Sequence, residues 1–421
     1  MKKDLFIRLF TMMMVSLSLS TLSPASVIPD TVRLSAGYAN EVYYNMDGGI
    51  VQTSPRNQWD IAFRTRKRSS SIITNDGTGV VLYTYPKADT SGWAGVDTSG
   101  LYNWPRMFND PCDWENGAFS RNAKGHPDYG WAKYNEITHD LIGDSLFVIK
   151  LRDGSFKKLW IIKKYSSEDI YYFRYADLNG AEEQTFNLDL SSLTATDYYG
   201  FSMETNLPVS FEPPTSAWDL LFTKYMSVQT DGSPYLVTGV LSNQGGKAKK
   251  FHPVAPDYFD FGPQTWDSTR SSIGWDWKVF NMNTFTYQMV DSLVYFVKAM
   301  NGDIYKLTFT GFQGSTSGLI SFDKEMVAGA GIQEGINHQA SLTVFPNPVK
   351  DVLTLRLNAY SGEDISVFLT DLSGRQLRAD HPGRMADSQY KMDVSGLNPG
   401  VYFVRVASSS LNGVSKIIIQ R

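Results

Sequence analysis

Few residues in this chain have the types and spacing that chemistry requires. Gly143-Asp144-Ser145-Leu146 matches the four-residue block of a serine esterase family in which that serine is the nucleophile. Such a serine belongs in a sharp turn at the end of a strand. Here apolar residues run on after it, so Ser145 is expected to begin a strand instead. Asp291-Ser292-Leu293 repeats the block without the glycine, which a structural repeat explains and a nucleophile does not. The chain has five histidines and no His-rich cluster, so multi-metal storage is not indicated. One cysteine, Cys112, excludes an intramolecular disulfide and Cys-rich zinc sites, and it reads as a small buried hydrophobe. Arg64, Arg66, Lys67 and Arg68 form a small basic cluster that reads as a solvated strand end, with an anion contact as the alternative. No His-Glu-x-x-His, nucleophile elbow or Gly-rich phosphate loop occurs, so the chain is read as non-enzymatic.

The elements that must position any site come in two similar sets. Trp59-Asp60-Ile61-Ala62-Phe63 recurs as Trp218-Asp219-Leu220-Leu221-Phe222. Each is followed by a Gly-Trp pair, Gly130-Trp131 or Gly274-Trp275, and then by a hairpin block. The blocks are Asp144–Lys150 with a turn at Asp153-Gly154, and Asp291–Lys298 with a turn at Asn301-Gly302. Blocks repeating in the same order mark duplicated folding units. Trp59, Ile61 and Phe63 alternate and are expected on one face of a strand, as are Trp218, Leu220 and Phe222. Residues 86–130 are rich in Gly, Pro, Asp, Asn and Trp and read as a long loop excursion. No run shows sustained helical spacing, so an all-β fold is expected. The repeated blocks are core strands, and any chemistry belongs to the loops where the copies differ.

The chain of 421 residues has 42% hydrophobic and 14% aromatic content, enough for real cores, and a net charge of −4 with no basic block, so nucleic acid is not an expected partner. Lys2 and Lys3 lead into an apolar run from Leu9 to Leu22 and then Ser23-Pro24-Ala25, the pattern of a cleaved export signal over residues 1–25. That run is too short and too polar to span a membrane, and no later segment reaches about 18 consecutive apolar residues. The expected units are 26–195 and 196–330, a Gly/Ala/polar linker at 331–340, and a C-terminal module at 341–421 that reads as an immunoglobulin-like β-sandwich, with strands set at regular spacing between Pro/Gly turns.

The C-terminal module opens with Phe345-Pro346-Asn347-Pro348-Val349. It continues through an Asp371-Leu372-Ser373-Gly374-Arg375 turn and Leu397-Asn398-Pro399-Gly400-Val401-Tyr402, and ends on Lys416-Ile417-Ile418-Ile419. In that order these motifs resemble the type A C-terminal sorting domain of the type IX secretion system. Pro346, Asn347, Pro348, Gly374, Gly400 and Lys416 carry the likeness. The resemblance implies handling by the type IX machinery, removal of the domain, and an extracellular or outer-membrane-surface product.

Residues 30–330 resemble, in two divergent copies, the HmuY-type haem-binding family of Bacteroidetes cell surfaces. The likeness lies in the Trp-Asp blocks, the Gly-Trp strands and Val294–Thr310. It implies an all-β grip on a haem whose iron is held by a His or Met from each of two positions about thirty residues apart. His252 and Met282 match that separation in the second copy, and imidazole nitrogen and thioether sulfur are both ordinary haem ligands. In the first copy Met107 with His139 or His126 lie at looser positions, and Glu136 sits nearer the expected point, a departure from the family pattern. Haem, or a host haem protein, is the partner so implied. The competing expectation is a surface adhesion or glycan-binding protein without haem, using exposed aromatics such as Trp93, Trp104, Trp114 and Trp266.

Overall fold

In the computed structural model of the protein, residues 27–328, 341–358, 364–371, 375–384, 389–407 and 412–421 are described. The export signal at 1–25, the linker at 331–340 and Gly374 therefore lie outside the described residues. Described helices are short 3-10 turns only, and the rest of the regular structure is antiparallel sheet, so the fold is all-β as expected.

The body stacks four sheets. One outer sheet has the spatial order Gln184–Asp189, Ile170–Asp177, Phe156–Tyr165, Phe147–Lys150, Val81–Thr84, Arg106–Met107, with Ala132–Tyr134 and Leu141–Gly143 added on its flank. A four-stranded sheet, Leu207–Val209, Tyr198–Ser202, Ile61–Arg64, Ile72–Thr74, packs on it. Next comes the four-stranded sheet Pro234–Ser242, Leu220–Val228, Asn40–Asn45, Gly49–Pro55, and then the outer sheet Ile28–Arg33, Leu319–Ala328, Ile304–Phe312, Val294–Lys298, Lys247–Phe251. The central inner strands, Ile61–Arg64 and the first half of Leu220–Val228, bury both faces. Ile61 and Phe63 enter the core shared with Phe147 and Phe173, while Ala62 enters the layer between the two inner sheets. Leu220 and Phe222 pair likewise with Tyr295 and Leu307, and Leu221 faces the middle layer. The alternation is the period of two that a strand imposes. Trp59 and Trp218 do not share the face of the residues two and four positions on. Both precede their strands and pack in the middle layer, which corrects the expected one-face pattern.

Strand pairing crosses the expected boundary at residues 195 and 196. Ile28–Arg33 pairs with Leu319–Ala328, and Asn40–Asn45 pairs with Leu220–Val228. The first three strands of the chain therefore complete the second copy, not the first. In the first copy the same places are filled from its own C-terminal side, by Gln184–Asp189, Tyr198–Ser202 and Leu207–Val209. The equivalence holds to single hydrogen bonds. Asp60 N–H donates to Phe201 O at 2.9 Å and Asp219 N–H to Tyr44 O at 2.8 Å. Asn75 Nδ2 donates to the carbonyls of Arg56 and Trp59, and Asn243 Nδ2 to those of Thr215 and Trp218.

The Asp of each Trp-Asp block is a buried acceptor that ties these parts together. Asp60 Oδ2 accepts from Met203 N–H at 2.8 Å and its Oδ1 meets Arg152 at 2.6 Å. Asp219 Oδ2 accepts from Met46 N–H at 2.7 Å and its Oδ1 from Met300 N–H at 2.6 Å.

Loops close the outer faces. Residues of the 86–130 excursion, with Trp93, Leu101 and Trp104, cover Leu146 and Val148, and the 252–267 loop covers Phe251 and Phe296 with Tyr258, Phe261 and Trp266. Buried lysines at equivalent positions hold both covers: Lys158 Nζ donates to Trp93 O at 2.7 Å and Lys306 Nζ to Pro256 O at 2.6 Å. Trp93, Trp104 and Trp114 are buried, and Trp266 is half-buried, so the expected exposed aromatic platform is not there. The reason is that an aromatic loop lying on an apolar sheet face gains more by burial than by display.

The C-terminal module is a sandwich of the sheets Ser341–Phe345, Val352–Asn358, Gln389–Asp393 and Gln376–Gly383, Ile365–Asp371, Gly400–Ala407, Asn412–Ile419. Its core includes Val349, Leu355, Val367, Val404 and Ile417.

Candidate functional site

The sequence-derived ligands do not come together. His252 is exposed and follows Phe251, which packs on the outer face of its sheet. Met282 is 70% exposed at the tip of the hairpin Lys278–Asn281/Thr286–Met289, which packs through Tyr287 and Met289 on the opposite, inner face. Among the described residues no contact joins them, and neither lines the cavity between the inner sheets or the cleft of the first copy. A pair so placed does not fit haem. In the first copy Met107 is a core residue paired with Leu82, so its sulfur is not free to reach iron at the surface. His126 and His139 do approach one another through Tyr134: its hydroxyl meets His139 Nδ1 at 2.6 Å, and its ring centroid lies 5.1 Å from that of His126, whose Nε2 meets Glu136 at 3.1 Å. Both histidines are exposed, and no group of three metal-ligating side chains forms among the described residues.

Ser145 does not reach the start of a strand; it lies in the link before Phe147–Lys150, and its Oγ donates to Gly130 O at 3.1 Å. That bond staples the hairpin block to the Gly-Trp turn. Cys112 is exposed, against expectation, with Sγ 3.2 Å from Ser271 Oγ where loops of the two copies meet. The basic cluster splits. Arg64 is buried, paired with Glu115 at 2.8 Å and flanked by the rings of Trp114 and Tyr198, while Arg66, Lys67 and Arg68 are exposed.

Two cavities draw attention. One lies between the two inner sheets and measures about 60 Å³. Trp114 Nε1, Trp218 Nε1, Tyr225 OH and Arg270 Nε border it without a hydrogen-bond partner among the described residues. Its size is that of a few water molecules, not of an organic ligand. Glu41, Asp76 and Glu212 also border it. Burial pushes the Glu212 carboxyl up to about 8 and that of Asp76 up to about 6. A carboxyl raised in the folded state keeps its proton while the unfolded chain releases it, so stability is full below the unfolded value and falls as pH rises toward the folded one. Between pH 6 and 7 Glu212 contributes a falling slope of at most about 1.4 kcal/mol per pH unit, and above pH 7 the buried Lys278, lowered by desolvation to about 7, opposes it. Glu212→Gln should therefore gain in melting temperature relative to wild type as pH rises from 6 to 8; a difference between the two proteins that does not change with pH would refute the assignment.

The other is an open cleft of about 380 Å³ in the first copy. Thr65, Ser167, Ser191, Thr194, Thr196 and Thr215 line it with hydroxyls, and Arg66, Lys67 and Glu168 stand at its rim. On its floor are Asp169 and Asp197, each 5% exposed. Asp169 is paired with the buried Lys164 at 2.8 Å. Asp197 Oδ2 has no hydrogen-bond partner among the described residues, and burial raises that carboxyl, with the Arg64 charge and a hydrogen bond from the Thr215 side chain to the carboxyl opposing.

The second copy shows what the same place looks like when filled. Leu190 N–H donates to Asp169 O, and Leu34 N–H to Gly318 O, both at 3.0 Å, which makes Asp169 the counterpart of Gly318. Both have left-handed backbones, φ 60° and 63°. Glycine adopts that conformation freely, whereas aspartate tolerates it at a cost. In the second copy Tyr38 follows Leu34, stacks on Phe312 with centroids 6.1 Å apart, and lies under Lys224, the counterpart of Thr65. In the first copy hydroxyls and charges stand there instead. The signal legible in sequence was the Ser/Thr-rich stretch Ser191–Asp197, the loop in which the copies differ.

In the C-terminal module the motif residues clamp the last strand. Asn347 Oδ1 accepts from Ile418 N–H at 2.8 Å and its Nδ2 donates to Lys416 O at 2.9 Å. Val349 bridges to Ile419 in parallel. Pro346 and Pro348 flank Asn347, and Gly400 opens the strand Gly400–Ala407 beside that last strand.

Residues 343–420 match the secretion system C-terminal sorting domain. No curated protein matches the chain. Among solved structures, dimeric latent PorU from Porphyromonas gingivalis matches at 14% identity, covering 66% of this chain and 31% of that chain, with a TM-score of 0.16. The tetra-tandem repeat in the extending region of a large adhesion protein matches at 12% identity, covering 67% of this chain and 81% of that one, with a TM-score of 0.15. Likenesses at those scores say nothing about how the body folds or acts. The sorting domain implies handling by the type IX secretion machinery and a secreted or cell-surface protein. Among the described residues no helix is long and apolar enough to cross a membrane.

Proposed function

We propose that the protein is an exported, non-enzymatic binding protein that takes a glycan in the cleft of its first copy, the sorting domain being removed after transport. The observation that carries this reading is Asp197 Oδ2, buried and unpartnered beneath a ring of hydroxyls. A buried acceptor without a donor costs about 1–3 kcal/mol, and a sugar hydroxyl supplies the donor. The cleft volume falls within the range of small-ligand sites, about 300–1,000 Å³. Haem capture finds no comparable support, since His252 and Met282 lie on elements packed against opposite faces of one sheet.

A glycan array probed with the exported protein should yield a defined set of bound sugars. Thr194→Trp, at an exposed position of the cleft wall, should reduce that binding at least tenfold without moving the melting temperature. Binding unaltered by Thr194→Trp, or no bound glycan at all, would remove the reading.

A further inference from the structure

We infer that the ligand of this cleft is a sugar acid, its hydroxyls lying on Asp197 and the Ser/Thr wall and its carboxylate held at the rim by Arg66 and Lys67. The inference rests on the glycan reading and goes beyond it by fixing the charge of the sugar.

Three observations carry it. First, the acids of the floor are offset by cations: Asp169 pairs with Lys164 at 2.8 Å, and the Arg64 and Arg66 charges act on Asp197. Second, the rim cations are open to a ligand. Arg66 and Lys67 are exposed and form no ion pair among the described residues, whereas Arg64, two positions earlier, is spent on Glu115. Glu168 is the single acid beside them at the rim. An Arg and a Lys at one edge of a cleft match a carboxylate, Arg by its planar fork and Lys as a point charge. Third, the wall offers hydroxyls in place of an apolar pocket. Leu190 is the one aliphatic side chain lining the cleft, and it is itself buried in the core. A polyhydroxylated ring can pair with such a wall, while an apolar side chain of a peptide would find nothing there to replace its lost water contacts. The second copy lacks all three features: Gly318 stands for Asp169, Lys224 for Thr65, and Tyr38 lies under Lys224 on Phe312. The site is therefore expected once per chain.

The test is calorimetric titration of the full exported protein with D-glucuronate, D-glucose and acetate, each alone. Glucuronate is expected to bind at least tenfold more tightly than glucose, with one site per chain, and acetate not measurably. Arg66→Ser combined with Lys67→Ser should weaken glucuronate at least tenfold and leave glucose unchanged. Asp197→Asn should weaken glucuronate with the rim intact. Equal binding of glucose and glucuronate would overturn the sugar-acid assignment while leaving the glycan reading standing. Acetate binding as well as glucuronate would overturn it too, by making the rim a plain anion site. Failure of both sugars, together with an empty glycan array, would remove the inference and the reading beneath it.

Discussion

The fragment of residues 196–330, expressed alone, is expected to remain unfolded, although it contains the Trp-Asp, Gly-Trp and hairpin blocks of the second copy. Its outer sheet would lack the edge strand Ile28–Arg33, and its inner sheet would end at Leu220–Val228 without Asn40–Asn45. Val32, Leu34, Val42, Tyr44 and Met46 all belong to the core of that copy and are at most 1% exposed. Each is worth roughly 1.5–3 kcal/mol of burial, so together they are comparable with the whole stability of a typical domain, about 5–15 kcal/mol. Restoring them should restore the fold. Ile28 lies opposite Lys324 in the ladder, so a short Gly/Ser linker can join residue 328 to residue 27. The first copy makes the same connection within its own chain, from Ile170–Asp177 to Gln184–Asp189. The graft 196–328–linker–27–55 should show dispersed amide resonances and a cooperative melt. A cooperative melt of 196–330 by itself would mean that the N-terminal strands are dispensable, and the closure described here would not matter to stability.

Local alternation made the strands legible, while closure is a long-range fact. Val294, Tyr295, Phe296 and Val297 alternate between the loop-covered face and the core, and such a pattern can be read from one segment. That Ile28–Arg33 should pair with a strand nearly three hundred residues away leaves no mark in either segment. A unit boundary drawn by repeat order at 195 and 196 therefore parts Tyr198–Ser202 from Ile61–Arg64 in the first copy and Asn40–Asn45 from Leu220–Val228 in the second. The sorting domain was legible for the opposite reason: its Pro, Asn and Gly residues meet specific backbone demands in fixed order, as the two hydrogen bonds of Asn347 to the final strand show.

The candidate site was half legible. The differing loops were the right place to look, but residue type misled within them. Tryptophans among Gly and Pro read as displayed aromatics, yet a loop that lies on an apolar sheet face buries them, and Arg174 beneath Trp93 adds a cation contact at 4.3 Å. The thirty-residue separation of His252 and Met282 is a distance along the chain, and it does not become proximity because the elements that carry them pack on opposite faces of one sheet. The aspartate in a left-handed conformation at position 169 is visible only once its counterpart, Gly318, is aligned in space.

Asp219→Ala is expected to cost roughly 3–5 kcal/mol, more than any single truncation at the surface, because two buried donors lose their acceptor at once. One carboxylate oxygen holds Met46 N–H, at the end of the strand Asn40–Asn45, and the other holds Met300 N–H, just beyond Val294–Lys298. The residue is 1% exposed, so water cannot take over either bond without opening the sheet junction. Asp219→Asn should cost less, since its carbonyl oxygen still serves one donor, but its amide then faces the other. Asp60→Ala makes the useful contrast. It frees one N–H, that of Met203, and its second partner is Arg152, whose guanidinium also reaches Glu204 at 3.4 Å and retains 16% exposure. Asp60→Ala should therefore cost about half as much, in the range of ~1–3 kcal/mol. Urea unfolding followed by tryptophan fluorescence isolates the relevant part of the molecule, because all ten tryptophans precede residue 341 and none belongs to the sorting domain. The midpoint should fall in the order wild type, Asp60→Ala, Asp219→Ala. The reverse order of the two variants would place the main tie at the Arg152 ion pair in the first copy and not at the junction where the N-terminal strands close the second.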